Sequence, residues 1–356
     1  MTGFALWQRQ ILTIVSLEWK KTLFAKRGLW VYALAFLPAL LFGINAIRVQ
    51  NQRDAQMEIQ RAAPNAAAVT AAIQTGMSVD DVTRKLVDDK VPFTKFKRRK
   101  KFEFVRYSDG TNTWELMFVE GKLTEKRNRD EARLSDSIRA FAGAFQYFFL
   151  RLAVFFGCVG IFMNLFRGEM LDQSLHHYLL APVKREVLMV GKYLAGLVAT
   201  IAIFCTSAAL QFALMLGAHS SREVNEYLAG EGWAHLVSYL GVTALGCVGY
   251  GSIFLAAGII MKNPLIPATG ILFWEGMNWF LPTMLKQLSI IYYLQALCPV
   301  VAPLSGDIPE PLKLLATTAA PIAAPIAVMG VFAAAGMVLT FASIYVRKLE
   351  INYGAD

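Results

Sequence analysis

The chain carries no Gly-x-x-x-x-Gly-Lys-Ser/Thr phosphate loop: Gly191-Lys192 runs on into Tyr193, and the position five before Gly191 is Glu186. A backbone cradle for nucleotide phosphates is therefore excluded. Cysteine is scarce, with four residues, Cys158, Cys205, Cys247 and Cys298, all in or beside apolar runs. That rules out a disulfide framework and a Cys-x-x-Cys metal site. Charged residues make up 17% of 356 positions, and several stretches of about twenty residues have none. Stretches of that kind are not the surface of an ordinary soluble protein. No small-residue cleavage site follows the first apolar run, near residue 29. No cleaved leader is expected, and the first span should stay as an anchor.

What the sequence has in excess is apolar side chain: 56% hydrophobic residues and 24 Phe, with a mean hydropathy of +0.44. The implied class is a polytopic α-helical membrane protein. In such a protein the net charge of +9 sets orientation and meets anionic headgroups. Membrane lipids, and no nucleic acid, are then the expected partners. Six apolar runs are long enough to cross ~30 Å of hydrocarbon: 29–47, 141–166, 187–217, 233–260, 264–282 and 322–346. Residues 1–28 precede them as a cytoplasmic amphipathic helix, with Phe4, Trp7, Ile11, Ile14 and Val15 on one side and Gln8, Arg9, Glu18 and Lys21 largely on the other. On this layout the cytoplasmic segments, together with Lys192 at the inner end of the third span, hold twelve Lys and Arg, against three in the short outer loops. Six transmembrane helices with both termini cytoplasmic, in a bacterial inner or plasma membrane, satisfy the positive-inside rule. Residues 283–320 are too apolar for a loop yet broken by Pro299, Pro303, Pro309 and Pro311. Broken helices at membrane depth persist only against protein or a cavity.

Between the first two spans, residues 48–140 turn polar and are long enough for a small extracytoplasmic α+β domain. Ser78 followed by Val79, Asp80 and Asp81 predicts a helix start for roughly 78–89. Phe102 to Tyr107 alternates as a half-buried strand does, Asp109-Gly110 offers a turn, and Trp114 to Val119 offers the return strand of a hairpin. Lys95, Lys97, Arg98, Arg99, Lys100 and Lys101 place six basic residues in seven positions. Lys97 to Lys101 form a candidate patch for an anionic ligand or lipid headgroup; a solvated strand edge that discourages pairing is the alternative.

The most informative stretch is the polar island Arg167 to Tyr193, set between two apolar runs. Leu171, Leu175, Tyr178 and Leu179 give one apolar stripe to a short helix over Met170 to Leu180, which Pro182 stops. Glu169, then Leu179-Leu180-x-Pro182-Val183-x-Arg185, then Leu188 and Gly191-Lys192 resemble the cytoplasmic loop of the ABC-2 type (exporter-type) permeases of ATP-binding cassette transporters. The span order extends the likeness over most of the chain. His176 and His177 depart from the expected small or polar residues.

That resemblance implies several things. Residues 167–186 would carry a coupling helix docking on a separate ATPase subunit, with Glu169, Asp172, Leu175, Leu179, Leu180, Pro182 and Arg185 in contact. ATP and Mg would sit on that partner, and this chain would bind no cofactor and be no enzyme itself. It would form a homodimer or pair with a related permease. The N-terminal helix has a counterpart in the family, and the 283–320 region would hold re-entrant helices facing the outer side, Leu285 to Leu297 among them. The activity would be efflux of a substrate, here expected to be amphipathic or hydrophobic.

Two charges fall deep inside spans, Arg151 and Glu275, at about 22 Å and about 16 Å from the inner end at ~1.5 Å per residue. Such residues face a partner or a wet cavity. They can form an ion pair or a polar lining shared with Asn278. Alternatively, Arg151 snorkels to outer headgroups and Glu275 caps a break in its helix. Nearby Phe273, Trp274, Trp279, Phe280, Tyr292 and Tyr293 suit an interface belt or an apolar path. His176 and His177 beside Glu169 and Asp172 raise a competing reading, a membrane-embedded metal-dependent enzyme, but only the pair Asp172 and His176 shares a helical face. A non-transporting membrane scaffold with an outer domain is the third reading.

Overall fold

A computed structural model describes residues 3–23, 28–63, 65–97, 102–109, 113–128, 134–171, 183–261, 263, 265–277, 281–301 and 322–347. The chain divides into two compact units: Met1–Phe42 with Ile138–Leu214 and Asn225–Asp356, and Gly43–Ser137 with Met215–Val224. The first, helical unit is built from α1 (Gly3–Leu23), most of the membrane helices and several short helices. The second contains a four-stranded sheet.

Among the described residues, five helical stretches are long and apolar enough to cross a membrane: Leu29–Asn51, Leu134–Phe166, Arg185–Gly217, Ser221–Ile260 and Ala324–Arg347. The first belongs to α2 (Leu29–Ala62), which continues past the expected end at residue 47. The second is composite: α5 (Leu134–Gly143), a π-helical segment (Ala144–Val154), α6 (Phe155–Phe162) and α7 (Asn164–Leu171). The third is α8 (Arg185–Gly217). The fourth joins α9 (Ser221–Tyr227) through a π-helical turn to α10 (Trp233–Ile260).

The expected span 264–282 is seen as a shorter element, α11 (Leu265–Gly276), of 12 residues. At ~1.5 Å per residue it is about 18 Å long, well short of ~30 Å of hydrocarbon. Gly276 at its end is a residue that favours helix termination. Two short helices follow, α12 (Thr283–Lys286) and α13 (Ile290–Ala296), and the last span is α14 (Ala324–Arg347).

Glycine decides how closely the spans approach. A Cβ on Gly258 of α10 would lie 2.9 Å from both Cα and O of Met163, so α10 rests on the backbone of the second span. On Gly157 it would run into Cζ of Phe204, which fills that notch from α8. Small residues let membrane helices pack through van der Waals contact, where apolar lipid offers no hydrophobic drive. Phe141, Phe145 and Phe149 stack in a row along the second span, at 6.0 and 5.5 Å between centroids, and Tyr239 meets the first two edge-on at 4.9 and 4.6 Å. In an apolar 18-residue stretch of the second, third and fourth spans 67% of the residues are buried, against 28% in the first and 22% in the last. Leu37, Leu40, Leu41 and Ile44 on the first, and Met329, Phe332, Met337 and Phe341 on the last, are exposed and need lipid or protein beside them.

In the second unit the sheet is antiparallel in the order β1 (Phe93–Lys97), β2 (Phe102–Ser108), β3 (Thr113–Val119), β4 (Lys122–Asn128). The predicted hairpin is β2 and β3, in the register Tyr107↔Trp114 and Val105↔Leu116. Two strands were not anticipated. β1 and β4 are edges rich in Lys and Arg, the usual guard against edge-to-edge pairing, and the same charges hide the apolar alternation. The β3–β4 turn is Glu120-Gly121, both at positive φ (52° and 81°), as the twist-matched two-residue hairpin turn requires. Helix α4 (Val79–Asp88) starts where the sequence indicates: the Ser78 side chain accepts from the Asp81 amide at 3.2 Å. Val82 and Leu86 of α4 and Ala66 and Val69 of α3 (Ala66–Ala72) cover one sheet face, against Val105, Tyr107, Leu116, Phe118 and Leu123. Lys126 donates to the Thr70 and Ile73 carbonyls near the end of α3 and sits 4.8 Å from the Trp114 ring. Burial pulls its pKa below the ordinary lysine value, partly offset by Asp109. Burial pushes the Tyr107 phenol up to about 12.

Candidate functional site

Among the described residues of the helical unit, two constellations combine charge with burial. The first surrounds the exit of the polar island. Gly191 and Lys192 lie in the second turn of α8, and a Cβ on Gly191 would sit 2.8 Å from Cγ2 of Ile14, so α1 lies directly against α8. One turn on from Ile14, Glu18 faces the same way. Its carboxylate meets Lys192 Nζ at 3.2 Å, with side-chain exposures of 3% and 0%. The Phe166 ring is 5.7 Å from the same ammonium. Lys184 Nζ stands 4.7 Å from the Trp7 ring.

The end of the last span joins this junction. Arg347 Nε pairs with the Glu186 carboxylate, and Arg185 donates to the Arg347 carbonyl at 3.1 Å. Three elements, α1, the start of α8 and the end of α14, therefore meet where residue 186 leaves the island.

Among the expected contact residues, Arg185 opens α8 and is exposed. The backbone of Glu169 lies in α7, while Asp172, Leu175, Leu179, Leu180 and Pro182 lie outside the described residues, as do His176 and His177. Lys97 ends β1, and Arg98, Arg99, Lys100 and Lys101 also lie outside them. Among the described residues, no group of three His, Cys, Asp or Glu side chains could hold a metal.

The second constellation is inside the bundle. Glu275, 6% exposed, is the penultimate residue of α11. Its carboxylate accepts from Ser289 Oγ at 2.6 Å and from the amides of Ile290 and Ile291 at 3.0 and 3.1 Å. It therefore closes the N-terminus of α13, satisfying donors that a helix start leaves orphaned. Arg151 lies within electrostatic range of this carboxylate, but no ion pair within bonding distance joins the two among the described residues. Its guanidinium stands 5.9 Å from the Tyr147 ring, and Tyr250 of α10 approaches both charges. Nε and Nη2 of Arg151 are enclosed and have no hydrogen-bond partner among the described residues. Asn278 lies outside them. On the same π-helical segment, Gln146 donates to the Val300 carbonyl at 2.7 Å, tying the second span to the chain beyond α13.

Sequence reasoning missed Glu18, Lys192 and Ser289 as members of these sites. The amphipathic reading of α1 set Glu18 largely on the side opposite Ile14, and the structure corrects it: four residues apart, both face α8. Ser289 is a cap-type residue directly ahead of an apolar run, so both spacings were present in the sequence. Which partner each would meet was not. No protein-family model and no curated protein matches this chain.

Proposed function

We propose that the chain is the membrane subunit of an exporter-type permease, moving an amphipathic or hydrophobic substrate outward and driven by a separate ATPase that docks on residues 167–186. The observation that carries this reading is the junction at the exit of that loop. Glu18 with Lys192 and Glu186 with Arg347 bind the N-terminal helix, the third span and the last span together. A push on the island would move three elements as one body.

A topological argument supports six crossings. The end of α14 is bonded to the start of α8, and α8 and α10 are consecutive antiparallel crossings, so Ile260 and Arg347 belong on one membrane side. Residues 261–323 must then reach the opposite side before α14 begins. On this reading α11, α12 and α13 make a broken fifth crossing, with Glu275 at the break, about 16 Å in at ~1.5 Å per residue. Discontinuous helices of this kind surround substrate sites in other transporters. A second copy, or a related permease, would complete the pathway.

The test is purification of the full chain from its native membrane in mild detergent, followed by measurement of vanadate-sensitive ATP hydrolysis. The expected result is a co-purifying ATP-binding cassette subunit with the wild-type chain, lost in Leu179→Arg and kept in Lys97→Ala. Equal ATPase recovery with wild type and Leu179→Arg refutes the docking site.

A further inference from the structure

We propose that the Nε–Nη2 edge of Arg151 is the receptor for the anionic head, a carboxylate or phosphate, of an amphipathic molecule held between the second span and the broken fifth crossing. This names a substrate class for the permease and rests on that reading.

The argument starts from the donors. A guanidinium presents two adjacent parallel N–H groups along the side edge formed by Nε and Nη2, a geometry that matches the two oxygens of a carboxylate or phosphate. Those are the two Arg151 atoms that are enclosed and without a partner among the described residues. A charged group at this depth is expensive unless it is paired.

The nearest candidate counter-ion is already engaged. Glu275 spends its oxygens on the Ser289 hydroxyl and the Ile290 and Ile291 amides, so its charge is compensated by the start of α13. Glu275 acts on Arg151 through space, but it gives the Nε–Nη2 edge no bonded acceptor, and none is found among the described residues. The Arg151 side chain keeps partial exposure while its neighbours Leu150, Ala153 and Val154 are buried. These apolar neighbours favour an anion that carries its own hydrocarbon. Tyr147 and Tyr250 add hydroxyl-bearing rings beside the guanidinium.

The experiment uses the full chain alone in nanodiscs of neutral phosphatidylcholine. Oleate, lysophosphatidate, monoolein, acetate and inorganic phosphate serve as probes, with affinity read by calorimetry. Because no ATPase is present, a missing ATPase partner leaves this result intact, and failure here leaves ATPase docking untouched. Wild type is expected to bind oleate or lysophosphatidate, with monoolein, acetate and inorganic phosphate at least tenfold weaker. A preference between the two amphiphiles tells a carboxylate from a phosphate source. Arg151→Gln is expected to lose roughly 10- to 100-fold, the loss of two charge-assisted bonds. Arg151→Lys keeps the charge without the side edge and should fall between. Its monodisperse elution separates lost binding from misfolding. Equal affinity across wild type and both variants, or equal affinity for oleate and monoolein or for oleate and acetate, overturns the proposal. So does much tighter oleate binding in Glu275→Gln, because the edge would then have been serving Glu275 and not a ligand.

Discussion

Replacing Lys192 by Met removes a cation that has 0% side-chain exposure and stands 3.2 Å from a carboxylate with 3%. Solvent screens neither group. At an effective dielectric constant of ~20, unit charges this close attract by about 5 kcal/mol. Forming the pair, however, also desolvates both groups, so its net contribution is far smaller than that attraction. Removing one partner is the costly operation, because Glu18 keeps its desolvation penalty and loses its cation: the expected loss is about 3–5 kcal/mol. Removing both, in Glu18→Leu with Lys192→Met, should cost about 1 kcal/mol or less, because similar-sized apolar residues replace a buried pair almost neutrally. The assay is equilibrium unfolding of the full chain in mixed micelles, read by thiol reactivity at Cys158 and Cys247, which are buried until the bundle opens. If Lys192→Met costs under 1 kcal/mol, or the double variant is as unstable as the summed singles, the pair does not hold α1 to α8.

Two further outcomes follow from named groups. Tyr107 is 2% exposed, and burial raises its pKa from 10.0 to about 12, so the folded state disfavours the phenolate. The associated stability is full below pH 10 and is lost as pH rises towards 12, on the order of 2–3 kcal/mol in all. Hydrogen exchange at β2 and β3 amides should accelerate over that window in wild type, and Tyr107→Phe should leave only the smaller contribution of Lys126, whose lowered pKa acts in the opposite sense. A window that is unchanged in Tyr107→Phe assigns the effect elsewhere. At the helix break, Ser289→Ala should cost α13 about 1 kcal/mol, read as roughly fivefold faster exchange at Ile290 to Ala296, with Glu275→Ala faster again. No change in either variant would mean that α13 is held by packing alone.

The legible parts of the fold are those whose cause is local. Ser78 caps α4 because its hydroxyl reaches an amide three residues on, and a sequence displays that spacing. The β2–β3 hairpin is equally local, with alternation on both sides of a turn. β1 and β4 were not legible because an edge strand needs charge on its outer side, and charge masks a period of two. The end of α11 was overlooked for another reason. Hydropathy continues through Asn278 to Leu281, and only Gly276 and the acceptor needs of α13 mark the stop. The π-helical segment under Arg151 has no period that an eleven-residue window would separate from an α-helix.

The candidate site divides along the same line. Arg151 and Glu275 stand out in the sequence because a charge in an apolar run has no cheap explanation there. What holds Glu275 and Lys192 comes from distant positions: Ser289 lies fourteen residues beyond Glu275, and Glu18 lies 174 residues from Lys192. These contacts also form one route through the helical unit. Glu186 grips Arg347 at the end of α14; α14 packs on α13, where a Cβ on Gly330 would be 2.7 Å from the Tyr293 ring; and α13 starts on Glu275. A displacement entering at the loop exit could therefore reach the helix break through α14 without passing through the second span. Arg151, on that second span, would then meet a Glu275 whose hold on α13 has been altered. Interfaces packed this closely shift in discrete steps, so the break beside Arg151 is where movement of α14 against the second span would become a change in what the guanidinium can bind.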